Sequence, residues 1–462
     1  KVIVDKAGNE IKDHRKPYQQ GMVFRCDLDG SNVETLGWNF RNNWEASVDS
    51  FGSIWQSDND DDGNRGVRIN FVMEFGNYGY RDEFTGKGWR DKRSNIEKEI
   101  PDRHWHLNDP GVVPNLIQTG AGSPTGIIVY EGKMFPQLLN QVIHCDAGPN
   151  VCRAYPRKNI GAGYNAEMMP ILSGGKDKWY RPSDVAVGPD GSLFIADWYD
   201  PGVGGHGMRD LERGRIFRVI PKDHNGYSFE KRDVSTLDGA INALMSSDLE
   251  SRYLGWTSLH KMGLDKTEKA LMKLISDKDR IKRARAAWCL GKMPGAGDKV
   301  ISKISKDLDS DMRIVAIRLA RQLGSNVESL INELSNDVSF QVKRECAIAL
   351  RELDGENVAA LWAKLALQHN GSDRWYLEAL GIAADGNWDN CFKAWIEAGG
   401  KWDSKAGKDI VWRSRGKMAP EFLAKIVKGP NTNEEEKPRY MRAFDFHSGP
   451  EKDAALQSIL LE

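Results

Sequence analysis

None of the six cysteines falls in a Cys-x-x-Cys pair or a Cys-x-x-Cys-His haem-attachment motif, so c-type haem is not expected within this chain. No apolar run approaches the ~18 residues of a membrane span, so no transmembrane segment is expected. An excess of one charge is missing too: 65 Lys and Arg stand against 66 Asp and Glu, for a net charge of -1. Without a basic surplus to neutralise phosphates, nucleic acid is not an expected partner. No cleavable signal is visible, but the chain opens on Lys1 rather than Met, so processing or truncation is expected.

A chain of 462 residues with 40% hydrophobic content exceeds one ordinary domain. It is organised around the stretch from Asn39 to Tyr80. Val48, Phe51, Ile54 and Trp55, interrupted by Ser50 and Gly52, read as strand, tight turn, strand. Just beyond them Asp58, Asn59, Asp60, Asp61, Asp62 and Gly63 crowd carboxylates that repel one another unless a cation or Arg neutralises them. Asp58, Asp60 and Asp62 match the front half of a calcium loop, because oxygens on alternate residues of a tight turn converge. The bidentate Glu of an EF-hand is absent, since Ile69 occupies its position, and a solvated turn balanced by Arg65 and Arg68 is the other reading.

Two further features leave alternatives open. Cys145 and Cys152 flank a turn-rich segment, which permits either a cross-hairpin disulfide or two buried thiols. His104-x-His106 lies in the irregular stretch Arg81 to Pro114, which reads as a functional loop or lid; the pair suits a metal or plain packing.

Arg41-Asn42, the strand pair, the acidic turn and Asn77-Tyr78-Gly79-Tyr80 resemble the cofactor-binding blade of the soluble quinoprotein sugar dehydrogenases, six-bladed propellers that use pyrroloquinoline quinone and calcium. Ser123-Pro124-Thr125-Gly126 with the hairpin around Asp146 is similar to the next blade, and Arg181-Pro182-Ser183-Asp184 with Gly188 to Gly191 and Gly214 to Arg218 to the last. The run from Ala196 to His206, in a propeller followed by helical repeats, resembles the large extracytoplasmic "membrane-bound dehydrogenase-like" proteins of planctomycetes, which often end in a haem domain. The likeness covers roughly Gly21 to Pro221.

Gly, Pro and Asp turns separate about a dozen expected strands, enough for three four-stranded blades and too few for a closed ring, so earlier blades are expected to be missing from this chain or to lie on another. From Val234 the apolar period changes from 2 to 3.6. Leu259, Leu290, Ala320, Leu350 and Leu380 open matching motifs at spacings of 31, 30, 30 and 30. Asp-rich turns supply N-caps, Arg252, Arg283, Arg313, Lys343 and Arg374 recur, and each unit needs neighbours to bury its face. The predicted architecture is therefore multidomain, β then α: a partial β-propeller over residues 1–222, six-bladed in the parent, a linker over 223–233, and a HEAT-like α-solenoid over 234–462. Asp385 to Gly416 reads as Trp-rich and irregular, and Asn431 to Lys437 as a charged linker.

The resemblance implies that Arg41, Asn42, Thr125 and Arg181 bind the quinone carboxylates while Asp58, Asp60 and Asp62 ligate calcium. It further implies a sugar or alcohol substrate, a periplasmic or otherwise extracytoplasmic location, and a c-type cytochrome or haem domain as electron acceptor. Asp197, Asp200 and His206 are cleft candidates, and His206 is the weak candidate for a general base that the family places in an earlier blade. Arg68 stands where the family has an acidic residue. The rival reading is a non-catalytic propeller and HEAT scaffold that binds proteins or glycans, or an electron-transfer partner through its repeats.

Overall fold

The computed structural model describes all residues except 1, 13–15, 62, 204–211, 225, 228–230, 356 and 462. Strands β1 (Ile3–Val4) and β2 (Glu10–Ile11) form a short hairpin, and β3 (Gly21–Arg25) pairs with β4 (Glu34–Phe40). Then come β5 (Asn43–Val48), β6 (Ile54–Asp58), β7 (Val67–Val72) and β8 (Gly76–Asn77), the last of which joins β4 in parallel. The short helix α1 (Ile100–His104) precedes β9 (Ile117–Gly120), which completes the four-stranded sheet β5-β6-β7-β9. A second sheet of four, β10-β11-β12-β15, uses β10 (Pro124–Tyr130), β11 (Gln141–Asp146), β12 (Val151–Tyr155) and β15 (Met169–Ser173). Between its last two strands, β13 (Arg157–Ile160) and β14 (Gly163–Ala166) form a projecting hairpin. The sheet β16-β17-β18 uses β16 (Pro182–Val187), β17 (Leu193–Asp197) and β18 (Arg215–Val219).

The first strands β5, β10 and β16 lie side by side as the inner strands of successive blades. Side chains stitch them together: Glu45 accepts from Ile127 N (2.9 Å) and Ser47 Oγ from Val129 N (3.2 Å). No closed ring forms among the described residues. The sheets are more varied than three equal blades, and the β13–β14 hairpin and β9 escape the sequence pattern because both are short and polar.

Helices take over at α2 (Leu237–Leu244) and stack in two layers. One layer holds α3 (Leu249–Met262), α5 (Arg280–Gly291), α7 (Ser310–Leu323), α9 (Phe340–Leu350), α11 (Arg374–Ala383), α13 (Lys405–Arg413) and α15 (Lys437–Ala443). The other holds α2 together with α4 (Leu264–Leu274), α6 (Gly297–Ile304), α8 (Val327–Leu334), α10 (Asn357–Ala366), α12 (Trp388–Glu397), α14 (Ala419–Lys428) and α16 (Pro450–Leu460). The Asp turns cap as the repeat demands: Asp248, Asp279, Asp309 and Asp373 accept from backbone N–H groups of the first turn of α3, α5, α7 and α11. Arg283 and Arg313 reach forward to Asp307 (3.1 Å) and Asp337 (2.6 Å) in the next unit, which ties the stack along its length.

Residues 385–416 depart from the expected irregular segment. They contain α12 and α13, and Trp388, Trp395 and Trp412 are buried in the helical core in place of the Leu and Ala of earlier units. Among the described residues no helix is long and apolar enough to cross a membrane.

Arginines fasten the odd-numbered layer to the β-body. Arg252 and Arg285 converge on buried Glu131 at 2.7 and 3.1 Å. Arg318 holds Glu345 at 2.9 Å while donating to Phe51 O and Ser53 Oγ, both at 3.1 Å. Arg344 donates to Ala162 O (2.6 Å), Arg374 to Asp109 O (2.7 Å) and Val112 O (3.0 Å), and Arg442 grips Asp109 and Asp82. Trp55, Phe71, Tyr164 and Trp375 fill the seam between them, so one apolar core runs through both parts.

Removing one partner of a buried pair strands the other charge, at a cost of about 3–5 kcal/mol. Arg318→Met is therefore expected to lower stability by that amount, and urea denaturation followed by far-UV circular dichroism is expected to show β-body and solenoid unfolding in one transition. Two well-separated transitions in the parent protein would refute the shared core.

Candidate functional site

The far ends of the inner strands, opposite the seam, carry the residues that sequence reading assigned to cofactor and metal. A repeated corner is built there. Each second strand ends in Asp, paired in register with the start of the inner strand: Asn43 with Asp58, Pro124 with Asp146, Pro182 with Asp197. In each blade one carboxylate oxygen accepts backbone N–H groups. Asp58 Oδ1 takes Arg41 N (3.1 Å) and Asn42 N (2.8 Å), Asp146 Oδ1 takes Ser123 N (2.7 Å), and Asp197 Oδ1 takes Arg181 N (2.7 Å) and Tyr199 N (2.9 Å).

The other oxygen faces an Arg of the third strand. Arg68 Nη2 meets Asp58 Oδ2 at 2.8 Å and Arg215 Nε meets Asp197 Oδ2 at 2.7 Å, whereas Arg153 stays 4.0 Å from Asp146 Oδ2. Asp146 Oδ2 is consequently buried without a hydrogen-bond partner. Burial pushes the Asp146 carboxyl up to about 6, and the neighbouring Asp60 adds to the effect.

In this geometry Asp58, one of the three residues expected to ligate calcium, is committed inside the blade. Its two oxygens are saturated by two amides and a guanidinium, and both it and Arg68 are fully buried. Asp60 is buried with Gly66 N on its Oδ2, and burial raises its carboxyl to about 6. Asp62 lies outside the described residues. Among the described residues no group of three His, Cys, Asp or Glu stands close enough to hold a metal.

Of the residues assigned to the quinone, Arg181 and Thr125 turn their polar groups onto the backbone. Arg181 does lie at an inner-strand start, but its guanidinium is turned into the backbone and donates to Asp200 O (2.9 Å), Ala147 O (2.8 Å) and Pro201 O (2.9 Å). The Thr125 hydroxyl sits between Cys145 O (3.0 Å) and Pro182 O (2.9 Å). Asn42 is exposed and contributes its amide to Asp58. Of the cleft candidates, Asp197 is a corner residue, Asp200 is buried and caps Gly202 N (2.9 Å), and His206 lies outside the described residues.

What remains open at this end is a rim around Asp61. It accepts from Tyr80 Oη (3.1 Å), Trp89 Nε1 (3.1 Å) and Arg41 Nε (3.3 Å), and keeps 30% side-chain exposure. The segment 81–114 supplies Trp89 and then packs as a strut rather than standing free: Trp105 Nε1 donates to Gly66 O (2.6 Å), while Asp82 and Asp109 meet Arg442 at the seam. His104 and His106 are buried inside it. Burial drives His104 down to about 3 and His106 below its ordinary value, so both stay neutral and serve packing. Cys145 and Cys152 face each other across β11 and β12 as buried free thiols.

Arg68 was read from the sequence as a balance to the acidic turn, and the common corner it shares with Arg153 and Arg215 was not read at all. The available signal was the recurrence of Asp at the end of three strands, in Ser57-Asp58, Cys145-Asp146 and Ala196-Asp197, each followed by a third strand bearing Arg.

A family described as a domain of unknown function, DUF7133, matches residues 3–223. No curated protein matches the sequence. Among solved structures, similar chains include the PQQ-bound aldose sugar dehydrogenase of Streptomyces coelicolor (18% identity, TM-score 0.32, covering 45% of this chain and 53% of that one). The apo soluble aldose sugar dehydrogenase of Escherichia coli is also similar (18%, 0.29, 42% and 50%), as is the YibA protein of Escherichia coli (14%, 0.29, 51% and 100%). The chain thus spans about half the length of the dehydrogenases.

Two outcomes follow from the corners. Arg68→Met strands the Asp58 charge and is expected to cost about 3–5 kcal/mol, while EGTA leaves the melting temperature of the parent protein unchanged; a calcium-dependent rise would restore the metal reading. For Asp146 the folded carboxyl titrates above its ordinary 3.8, so ionisation is costlier in the folded state. That contribution is complete below pH ~4 and is lost as pH rises through about 6, up to about 3 kcal/mol. Asp146→Asn is expected to flatten that part of a stability-against-pH curve; an unchanged slope would place the titration elsewhere.

Proposed function

We propose that this chain is a non-catalytic binding and assembly module built on a dehydrogenase-like β-body. One observation carries the reading: three of the groups that would hold quinone and calcium, Asp58, Arg181 and Thr125, are consumed within the blades. Asp58 is spent on Arg68 and two amides, Arg181 on backbone carbonyls, and Thr125 on a carbonyl bridge between neighbouring inner strands. A quinone would have to displace bonds that hold the blades together. The arginine seam also occupies the odd-numbered helical layer, so partner proteins or glycans meet the even-numbered layer, the blade end around Asp61, or clefts along the seam.

A second reading is a quinoprotein-type dehydrogenase, outside the cytoplasm, that oxidises a sugar or other alcohol and passes electrons to a c-type cytochrome or haem domain. Arg41 favours it, as a half-buried cation at an inner-strand start with 26% side-chain exposure beside Asp61. In that case further blades supply the general base.

The two readings separate in one titration. Purified protein mixed with pyrroloquinoline quinone and calcium is expected to show no stoichiometric uptake by absorbance and no sugar-dependent reduction of an artificial electron acceptor. Stoichiometric uptake that is lost in Arg41→Ala would establish the second reading.

A further inference from the structure

Between the β-body and the helices α9 to α13 lies a cavity of about 380 Å³, within the ~300–1,000 Å³ range of small-molecule sites. Four aromatic side chains line it, Tyr18 from the loop before β3, Trp38 from β4, Phe75 after β7, and Trp388 from α12. Tyr18 and Trp38 stand 6.1 Å apart at an interplanar angle of 55°, which presents two ring faces at an angle to one another.

Its charged groups form internal pairs. Arg415 Nη2 meets Glu83 Oε2 at 3.2 Å, Arg351 Nη1 meets Asp385 Oδ2, and Arg413 is taken by Glu378 of α11. The cavity is therefore close to neutral. Hydrogen-bonding capacity nonetheless remains at these pairs. Among the described residues Glu83 accepts only through Oε2, from Arg415 and from Asn77 (3.4 Å), and Asp385 only through Oδ2. Arg415 Nη1 has no partner, and Arg351 bonds only through Nη1 among the described residues. One oxygen on each carboxylate and the Nε and Nη2 groups of Arg351 are thus left to a ligand, while Arg415 Nη1 is buried behind the wall. That balance suits a group that both donates and accepts, and an overall neutral molecule.

We propose that this seam cavity binds a neutral saccharide, with vicinal hydroxyls on the spare carboxylate and guanidinium atoms and the apolar ring face against the aromatic walls. Aromatic faces cover the C–H surface of a sugar, while planar carboxylate and guanidinium groups engage adjacent hydroxyls in pairs. A free anion or cation would meet a like charge on one side of every pair. The helical part supplies Arg351, Asp385, Trp388 and Arg415, so the site needs both halves of the molecule and stands apart from the blade end around Asp61. It does not depend on whether quinone binds there.

The test is a titration of the intact protein with neutral mono- and disaccharides, followed by intrinsic tryptophan fluorescence and isothermal calorimetry, with gluconate and glucosamine as charged comparisons. Saturable binding of a neutral sugar is expected, weakened at least tenfold in Tyr18→Ala and in Asp385→Ala. The Asp385 carboxylate is 59% exposed, so its removal leaves the fold intact, and an unchanged circular dichroism melt verifies this. The proposal is overturned if no neutral sugar saturates the signal, if both variants bind as the parent does, or if a charged sugar binds more tightly than its neutral counterpart.

Discussion

A guanidinium facing a buried oxygen is the interaction on which this molecule depends. Arg is the cation suited to the task, because its planar fork is weakly hydrated and can serve a carboxylate and a backbone carbonyl together. At the seam, Arg318 does this with Glu345, Phe51 O and Ser53 Oγ, and Arg374 satisfies three carbonyls of the 107–112 turn. A blade array that does not close on itself has loops whose polar backbone would otherwise be buried unpaired against a helical surface. The odd-numbered helices supply donors there, spaced by the helical repeat, so the periodicity of the solenoid becomes the spacing of its attachments.

The same chemistry explains the acidic turn. Alternating carboxylates in a loop resemble a calcium site only while their partners are unknown. Once β6 and β7 pair in register, Asp58 stands opposite Arg68, and the guanidinium performs the neutralisation that a cation would otherwise provide. The pair also stacks on Trp105, whose ring lies 3.5 Å from the Arg68 carbon Cζ, which closes the corner to water. Asp146 shows what happens when the Arg falls short: burial, only partly offset by the Ser123 amide, raises the carboxyl to about 6.

These contrasts mark what the sequence could convey. The period change near Val234, the 30-residue spacing and the capping aspartates are local signals, and α3 to α11 follow them. The Asp49 to Gly52 turn between β5 and β6 is local as well. The site was less legible because its meaning depends on partners remote in the chain. Arg285 and Glu131 are 154 positions apart, Arg442 and Asp109 are 333 apart, and no periodicity links them. Arg181 illustrates the limit: its place at an inner-strand start was readable, but the direction of its side chain is set by the carbonyls of Ala147 and Pro201. The Trp-rich units failed for another reason, since large rings replaced the Leu and Ala pattern while burying the same helical face.

The near-equality of opposite charges acquires a structural meaning in this light. Many of those charges are not solvating a surface; they are paired inside, at blade corners, between helical repeats and along the seam. Each such pair is geometrically demanding and intolerant of losing a partner. Residues so committed are poor candidates for catalysis, because a catalytic group must exchange protons or ligands without unfolding its surroundings. The groups free to act are those with spare bonding capacity, and among the described residues they concentrate where pairs are incomplete, at Glu83, Asp385 and Arg351 in the seam. The proposed recognition role needs only such residual capacity.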